Sequence, residues 1–327
     1  MSNDVSQRIG KKLKRSLLLG AILVAALTSG PAGAGERAGK KLVLVCSTTQ
    51  IADFAQQIVG DRCVVKTILA PGADPHTYMQ TPQDAKMVLE ADLTLQNGLH
   101  LEGKNWMATL ARDANKPLVT TADGIKPIEI EAAGETISDP HSWFSPRNAA
   151  VYINNILRAV SKIDPEGKEE YPARAKLYLQ QLRVLDSWIR EQVNRIPPHQ
   201  RILVTSHDAF NYFCREYKFN ADNNYLSLAP IGWSTGAEVG AGMTPEKRKQ
   251  VINSIRNYGA MAVFVETSVN PKVIREIARE SGVRVGGKLY SDSMGEQGTA
   301  GETYIGMMRE NVLTILAALR GWRNIRQ

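Results

Sequence analysis

The sequence predicts an α/β protein of two βα lobes, each with a parallel-type sheet, joined by one long rigid helix. Three observations carry this. Short apolar runs alternate with amphipathic segments from Leu42 to Thr120, the alternation resumes from Ile202, and a long glycine-free helical stretch separates the two series. Such alternation implies parallel strands covered by helices.

Leu42 to Cys46 is a continuous apolar run, as a strand covered on both faces requires. Ile51 to Val59 has helical periodicity and is closed by Gly60, and Cys63 to Leu69 makes the next strand. Pro82 to Glu90 and Lys104 to Ala114 are predicted helices, followed by strands at Leu93 to Gln96 and Pro117 to Thr120. Pro146 to Lys162 is a helix that Pro165 and Gly167 interrupt. From Lys168 to Arg195 there is no glycine and only an early Pro172. Tyr178, Leu182, Leu185, Ile189, Val193 and Ile196 recur there at helical spacing on one face. This stretch is either a packing helix within one domain or a rod joining two, and its place between two βα series favours the rod. In the second series Ile202 to Val204, Ala262 to Val265 and Val283 to Tyr290 are predicted strands. Ala209 to Tyr217, Pro245 to Tyr258, Pro271 to Ser281 and Thr303 to Trp322 are predicted helices. The expected boundaries are a signal peptide at 1–34, an N-terminal lobe at 35–165, the linking helix at 166–198 and a C-terminal lobe at 199–327.

The 327 residues are 43% hydrophobic and 22% charged, which excludes a mostly disordered, collagen-like or coiled-coil chain. Arg8, Lys11, Lys12, Lys14 and Arg15 precede an apolar run from Ser16 to Leu27, and Ala32-Gly33-Ala34 follows as a cleavage signal. The run is shorter than the roughly 20 residues of a membrane span, and no Cys follows it directly. A soluble periplasmic protein without a lipid anchor is therefore expected. Cleavage after Ala34 takes the formal charge from +7 to +3, so nothing calls for a nucleic-acid partner. Three cysteines exclude a disulfide scaffold and a four-thiolate zinc site. Cys46 and Cys63 would lie near opposite ends of neighbouring parallel strands, so with Cys214 they are expected to be buried thiols.

Five histidines exist, and two sit in matching phrases, Asp74-Pro75-His76-Thr77-Tyr78 and Asp139-Pro140-His141-Ser142-Trp143. Proline stiffens each loop and holds its imidazole just before a helix start. His207 follows the strand Ile202 to Val204 and Asp292 follows the strand Val283 to Tyr290, where ligands of open α/β sheets gather. Three imidazoles and one carboxylate suit a divalent transition ion. His100 could support such a site from outside, Glu266 could orient one of its imidazoles, and His199 reads as a surface residue. Gly232-Trp233-Ser234-Thr235-Gly236 matches the nucleophile elbow of α/β-hydrolases, but no His follows residue 207, so that triad cannot be completed. Because ligating imidazoles must be neutral, metal affinity is expected to fall below about pH 6.

Read together, these phrases resemble the zinc/manganese group of solute-binding proteins that serve ABC transporters. They are Pro71 to Tyr78, Asn97-Gly98-Leu99, Asp139 to Trp143, Thr205 to Phe213 and Tyr290 to Ser293. The resemblance implies a metal in the cleft between two lobes, with ligands at His76, His141, His207 and Asp292. It implies a non-enzyme that captures Mn2+ and/or Zn2+ outside the inner membrane and delivers it to a permease. The expected partners are the divalent ion and the ABC transporter permease, with no nucleic acid, the chain acting as a monomer. Imidazoles favour Zn2+ over Mn2+, whereas a bidentate Asp292 would suit Mn2+. The alternative is a secreted mononuclear zinc hydrolase, with Asp208 as its base.

Overall fold

The computed structural model describes residues 40–132, 135–230 and 245–320. The expected signal peptide and the Gly232 to Gly236 phrase lie outside the described residues. The first half builds a four-stranded parallel sheet from Leu42–Cys46 (β1), Cys63–Thr67 (β2), Leu93–Gln96 (β3) and Leu118–Thr120 (β4) in the order β2-β1-β3-β4. Its crossovers carry the helices Thr49–Val59 (α1), Pro82–Leu89 (α2) and Trp106–Asp113 (α3). Leu42 pairs with Cys63 and Cys46 with Thr67, so Cys46 and Cys63 stand at opposite ends of the ladder. All three thiols are buried and free, as expected.

A short antiparallel hairpin follows, Glu129–Ala132 (β5) with Glu135–Ser138 (β6), which the sequence reading left unassigned. Then come Pro146–Ile163 (α4) and the long helix Glu170–Asn194 (α5), whose 25 residues span about 37 Å. The second half holds Asn211–Tyr217 (α6), Pro245–Asn257 (α7), Ala262–Glu266 (β7), Lys272–Ser281 (α8), Arg284–Leu289 (β8) and Tyr304–Arg320 (α9). Strands β7 and β8 pair in parallel. The strand expected at Ile202 to Val204 is reduced to a single parallel bridge, Val204 to Leu228, beside β7. The Asn220 side chain accepts from Leu203 N at 2.7 Å and donates to Leu203 O at 2.9 Å, so an amide takes the Leu203 N–H while its carbonyl still accepts from Leu228 N at 3.2 Å in the bridge.

The long helix is not a rod standing clear of its neighbours. It buries Tyr171, Ala175, Tyr178, Leu182, Leu185, Ile189 and Val193 in a core that runs from Leu44 and Phe54 in the first half to Phe264, Leu289 and Ile315 in the second. The half-buried Asp53 of α1 ties three helices together, accepting from Gln57 Nε2 at 3.1 Å, Tyr178 OH at 3.3 Å and Tyr304 N at 3.0 Å. The helix joins the halves by being packed into both.

Candidate metal centre

The four residues singled out in the sequence lie far apart along the chain, and the fold brings them together. His76 sits in the loop from β2 to α2, His141 between β6 and α4, His207 between the Val204 bridge and α6, and Asp292 just beyond β8. One ligand atom of each lies within 4.8 Å of all the others. His76 Nε2 is 3.2 Å from His141 Nε2 and 3.8 Å from Asp292 Oδ1. His141 Nε2 is 3.3 Å from Asp292 Oδ1, and His207 Nε2 is 3.3 Å from Asp292 Oδ2. Four atoms at about 2.1 Å from one ion, in tetrahedral geometry, stand about 3.4 Å apart. The observed spacings are therefore those of a ligand shell, and both carboxylate oxygens face it. His207 Nε2 and Asp292 Oδ1 are buried without a hydrogen bond of good geometry, a donor set that a cation would satisfy.

Local chemistry explains how each residue is held. Asp74 Oδ1 accepts from His76 N at 2.8 Å, and Asp139 Oδ1 accepts from His141 N at 2.9 Å. One Asx turn thus closes both D-P-H phrases. Their remaining contacts differ: Asp74 takes the Thr77 hydroxyl at 2.8 Å, whereas Asp139 Oδ1 also lies 2.8 Å from His141 Nδ1. Thr81 and Asp84 form a capping box at the start of α2 and fix where the His76 loop ends. Glu266, at the end of β7, accepts from His207 N at 2.9 Å and sets its Oε2 2.7 Å from His207 Nδ1. Two of the three imidazoles are therefore backed by a carboxylate on the side away from the cluster, an arrangement that orients metal-bound histidine.

The chain matches the family described as zinc-uptake complex component A, periplasmic, over residues 44–318. It belongs to that family. The family match spans both halves and all four clustered residues. The manganese-binding lipoprotein MntA of Bacillus subtilis is 38% identical over 315 residues, covering 94% of this chain and 100% of MntA. The iron-binding protein YfeA of Yersinia pestis is 38% identical over 281 residues, covering 84% of this chain and 86% of YfeA. The periplasmic zinc binding protein TroA of Treponema pallidum superposes with a TM-score of 0.78 at 31% identity, covering 86% of this chain and 99% of TroA. Among the described residues no helix is long and apolar enough to cross a membrane. The expectation of no lipid anchor is not borne out, since MntA is named a lipoprotein.

Electrostatics in this family member are dominated by burial opposed by close charges. Burial would lower the His141 pKa, but Asp139 and Asp292 overturn it and raise the group to about 9 in the metal-free site. Burial would likewise lower His207, and Glu266 and Asp292 carry it well above the usual value. Burial would raise Asp292, and the facing His207, His141 and His76 hold it well below the carboxylate range. The expected proton competition therefore starts at a higher pH than a free histidine implies. With the folded pKa raised, the protonated His141 stabilises the metal-free protein fully below about pH 6.5, and that contribution is lost as pH rises through about 9. A metal bound through His141 would have to displace this proton. Loading at pH 7.5 is expected to release protons, and affinity to rise as pH climbs from 7 toward 9. Calorimetric titrations in buffers of different ionisation heat measure this, and zero proton release would contradict it.

Other expected roles sort cleanly. His199 and His100 are exposed and stand outside the group of four, as does Asp208; His100 is thus an exposed loop residue, not a support of the cluster. His100→Ala and His199→Ala should each leave metal affinity within about twofold, read by titration. Glu266→Gln keeps the shape but not the charge behind His207, and affinity is expected to fall about 10- to 100-fold; an unchanged value would make Glu266 a bystander. The sequence reading missed Ser268, whose hydroxyl donates to Asp292 Oδ2 at 2.8 Å. It also missed the work of Asn97, which donates to Pro140 O at 3.1 Å and accepts from Tyr152 OH at 2.5 Å, steadying the His141 loop.

Proposed function

We propose that the chain is the extracytoplasmic solute-binding component of an ABC transporter, that His76, His141, His207 and Asp292 ligate a single Mn2+ or Zn2+ as cargo, and that the ion passes to a membrane permease. The observation that carries this reading is the convergence of four ligand atoms at ligand-shell spacing, on the half-buried His76 and the buried His141, His207 and Asp292, in a chain that belongs to a family of metal-uptake components. The lobes are proposed to comprise residues 35–165 and 199–327, with 166–198 between them, and the working unit to be a monomer. Three imidazoles favour Zn2+ by ligand softness, while two carboxylate oxygens facing the site favour Mn2+.

The hydrolase alternative finds no support: the relatives are metal-transport binding proteins, and four protein ligands leave a four-coordinate ion no position for a reacting water. The test is metal analysis of protein purified without chelator, followed by competition among Mn2+, Zn2+ and Fe2+. About one ion per chain is expected. Absence of bound or bindable metal would refute the reading, and metal-dependent hydrolysis lost in His207→Ala would restore the rival.

A further inference from the structure

We propose that Thr49 and Gln50, in the first turn of α1, form a clasp that holds the Asp292 loop against the first half of the chain and sets how long a bound ion stays. The inference rests on the ligand assignment above. Met294 N donates to Thr49 Oγ1 at 2.9 Å, the Thr49 hydroxyl donates to Gln50 Oε1 at 3.2 Å, and Gln50 Nε2 donates to Ser291 O at 3.1 Å. This run of bonds begins and ends on one loop and brackets Asp292. Gly72 N, in the loop that carries His76, donates to Ser293 Oγ at 2.7 Å and adds a further tie.

Thr49, Gln50, Ser291 and Ser293 are all buried, so each bond, once broken, leaves a polar group without water to replace the partner. The Asp292 carboxylate is held the other way, by Ser268 beyond β7. The loop therefore belongs to both halves: its backbone is gripped by the first and its ligand group is steadied by the second. Neither Thr49 nor Gln50 is among the four ligand residues, so they act as positioning residues. For an ion to leave, Asp292 must swing away from three imidazoles, and the grip on both sides of it resists that swing. Weakening the grip speeds departure while leaving the encounter unchanged.

Thr49→Val and Gln50→Met keep shape and remove the bonds, and Thr49→Ser keeps the hydroxyl. Release of Zn2+ and of Mn2+ into excess chelator is followed by stopped flow, with association rates and metal-free thermal midpoints measured alongside. Each bond-removing variant is expected to release metal about three- to tenfold faster, the worth of one buried hydrogen bond, with association unchanged and Thr49→Ser close to wild type. Release rates within about twofold of wild type in both variants would overturn the clasp while leaving the ligand assignment standing. So would faster release accompanied by slower association and an equally lowered metal-free midpoint, the mark of general loosening. A wild-type protein that binds neither ion overturns the ligand assignment, and the clasp with it.

Discussion

Asp292→Ala is expected to weaken metal binding by more than about a hundredfold, since loss of a group behind a ligand already costs 10- to 100-fold and Asp292 faces the cluster directly. Its two oxygens stand 3.3 Å from His141 Nε2 and from His207 Nε2. Without them the three imidazoles keep no counter-charge on the metal side. The metal-free protein changes too, because Asp292 is one of the charges that raise His141 and His207. Removing it should lower both and reduce the protons released on binding. Asp292→Asn separates charge from shape and should resemble Asp292→Ala in affinity. Titration with either ion checks the result, and an affinity within about threefold of wild type would remove Asp292 from the ligand shell.

Phe54→Ala is expected to cost about 3–5 kcal/mol of stability and to lower a single unfolding transition. Phe54 is fully buried in α1, with its ring 5.7 Å from Tyr152 of α4, 6.4 Å from Tyr178 of α5 and 4.8 Å from Tyr304 of α9. It is thus shared by both halves and by the helix between them. If the halves unfolded independently, calorimetry would show two transitions and the substitution would move only one. The unbroken core predicts that both move together.

Much of this was legible in the amino-acid order. A continuous apolar run such as Leu42 to Cys46 has few structural options, and the face of α5 follows from side chains recurring every three or four positions. The paired D-P-H phrases were readable because one backbone device, an aspartate closing a turn on a residue two positions later, is entirely local. The hairpin was not readable: in β5 and β6 the pairing of Ile130 with Ile137 is the main apolar register amid acidic and small residues. The strand at Ile202 to Val204 was over-read because its competitor, Asn220, lies 17 positions away. Ser268 was invisible for the same reason, since its bond to Asp292 crosses 24 positions and leaves no periodic trace.

The bonds that tie the two halves together also fix when the protein can first work. Thr49 meets Met294 across 245 positions, and Asp53 meets Tyr304 across 251. The strands of the first sheet need only near neighbours and can pair while the chain is still growing. The proposed ligand set brings His76 together with Asp292, and closing contacts that distant is slow. A chain that stops short of Asp292 carries the three imidazoles and lacks the carboxylate that faces them. Completion of the fold therefore comes before capture of an ion, and an unfinished chain has no complete cluster to load.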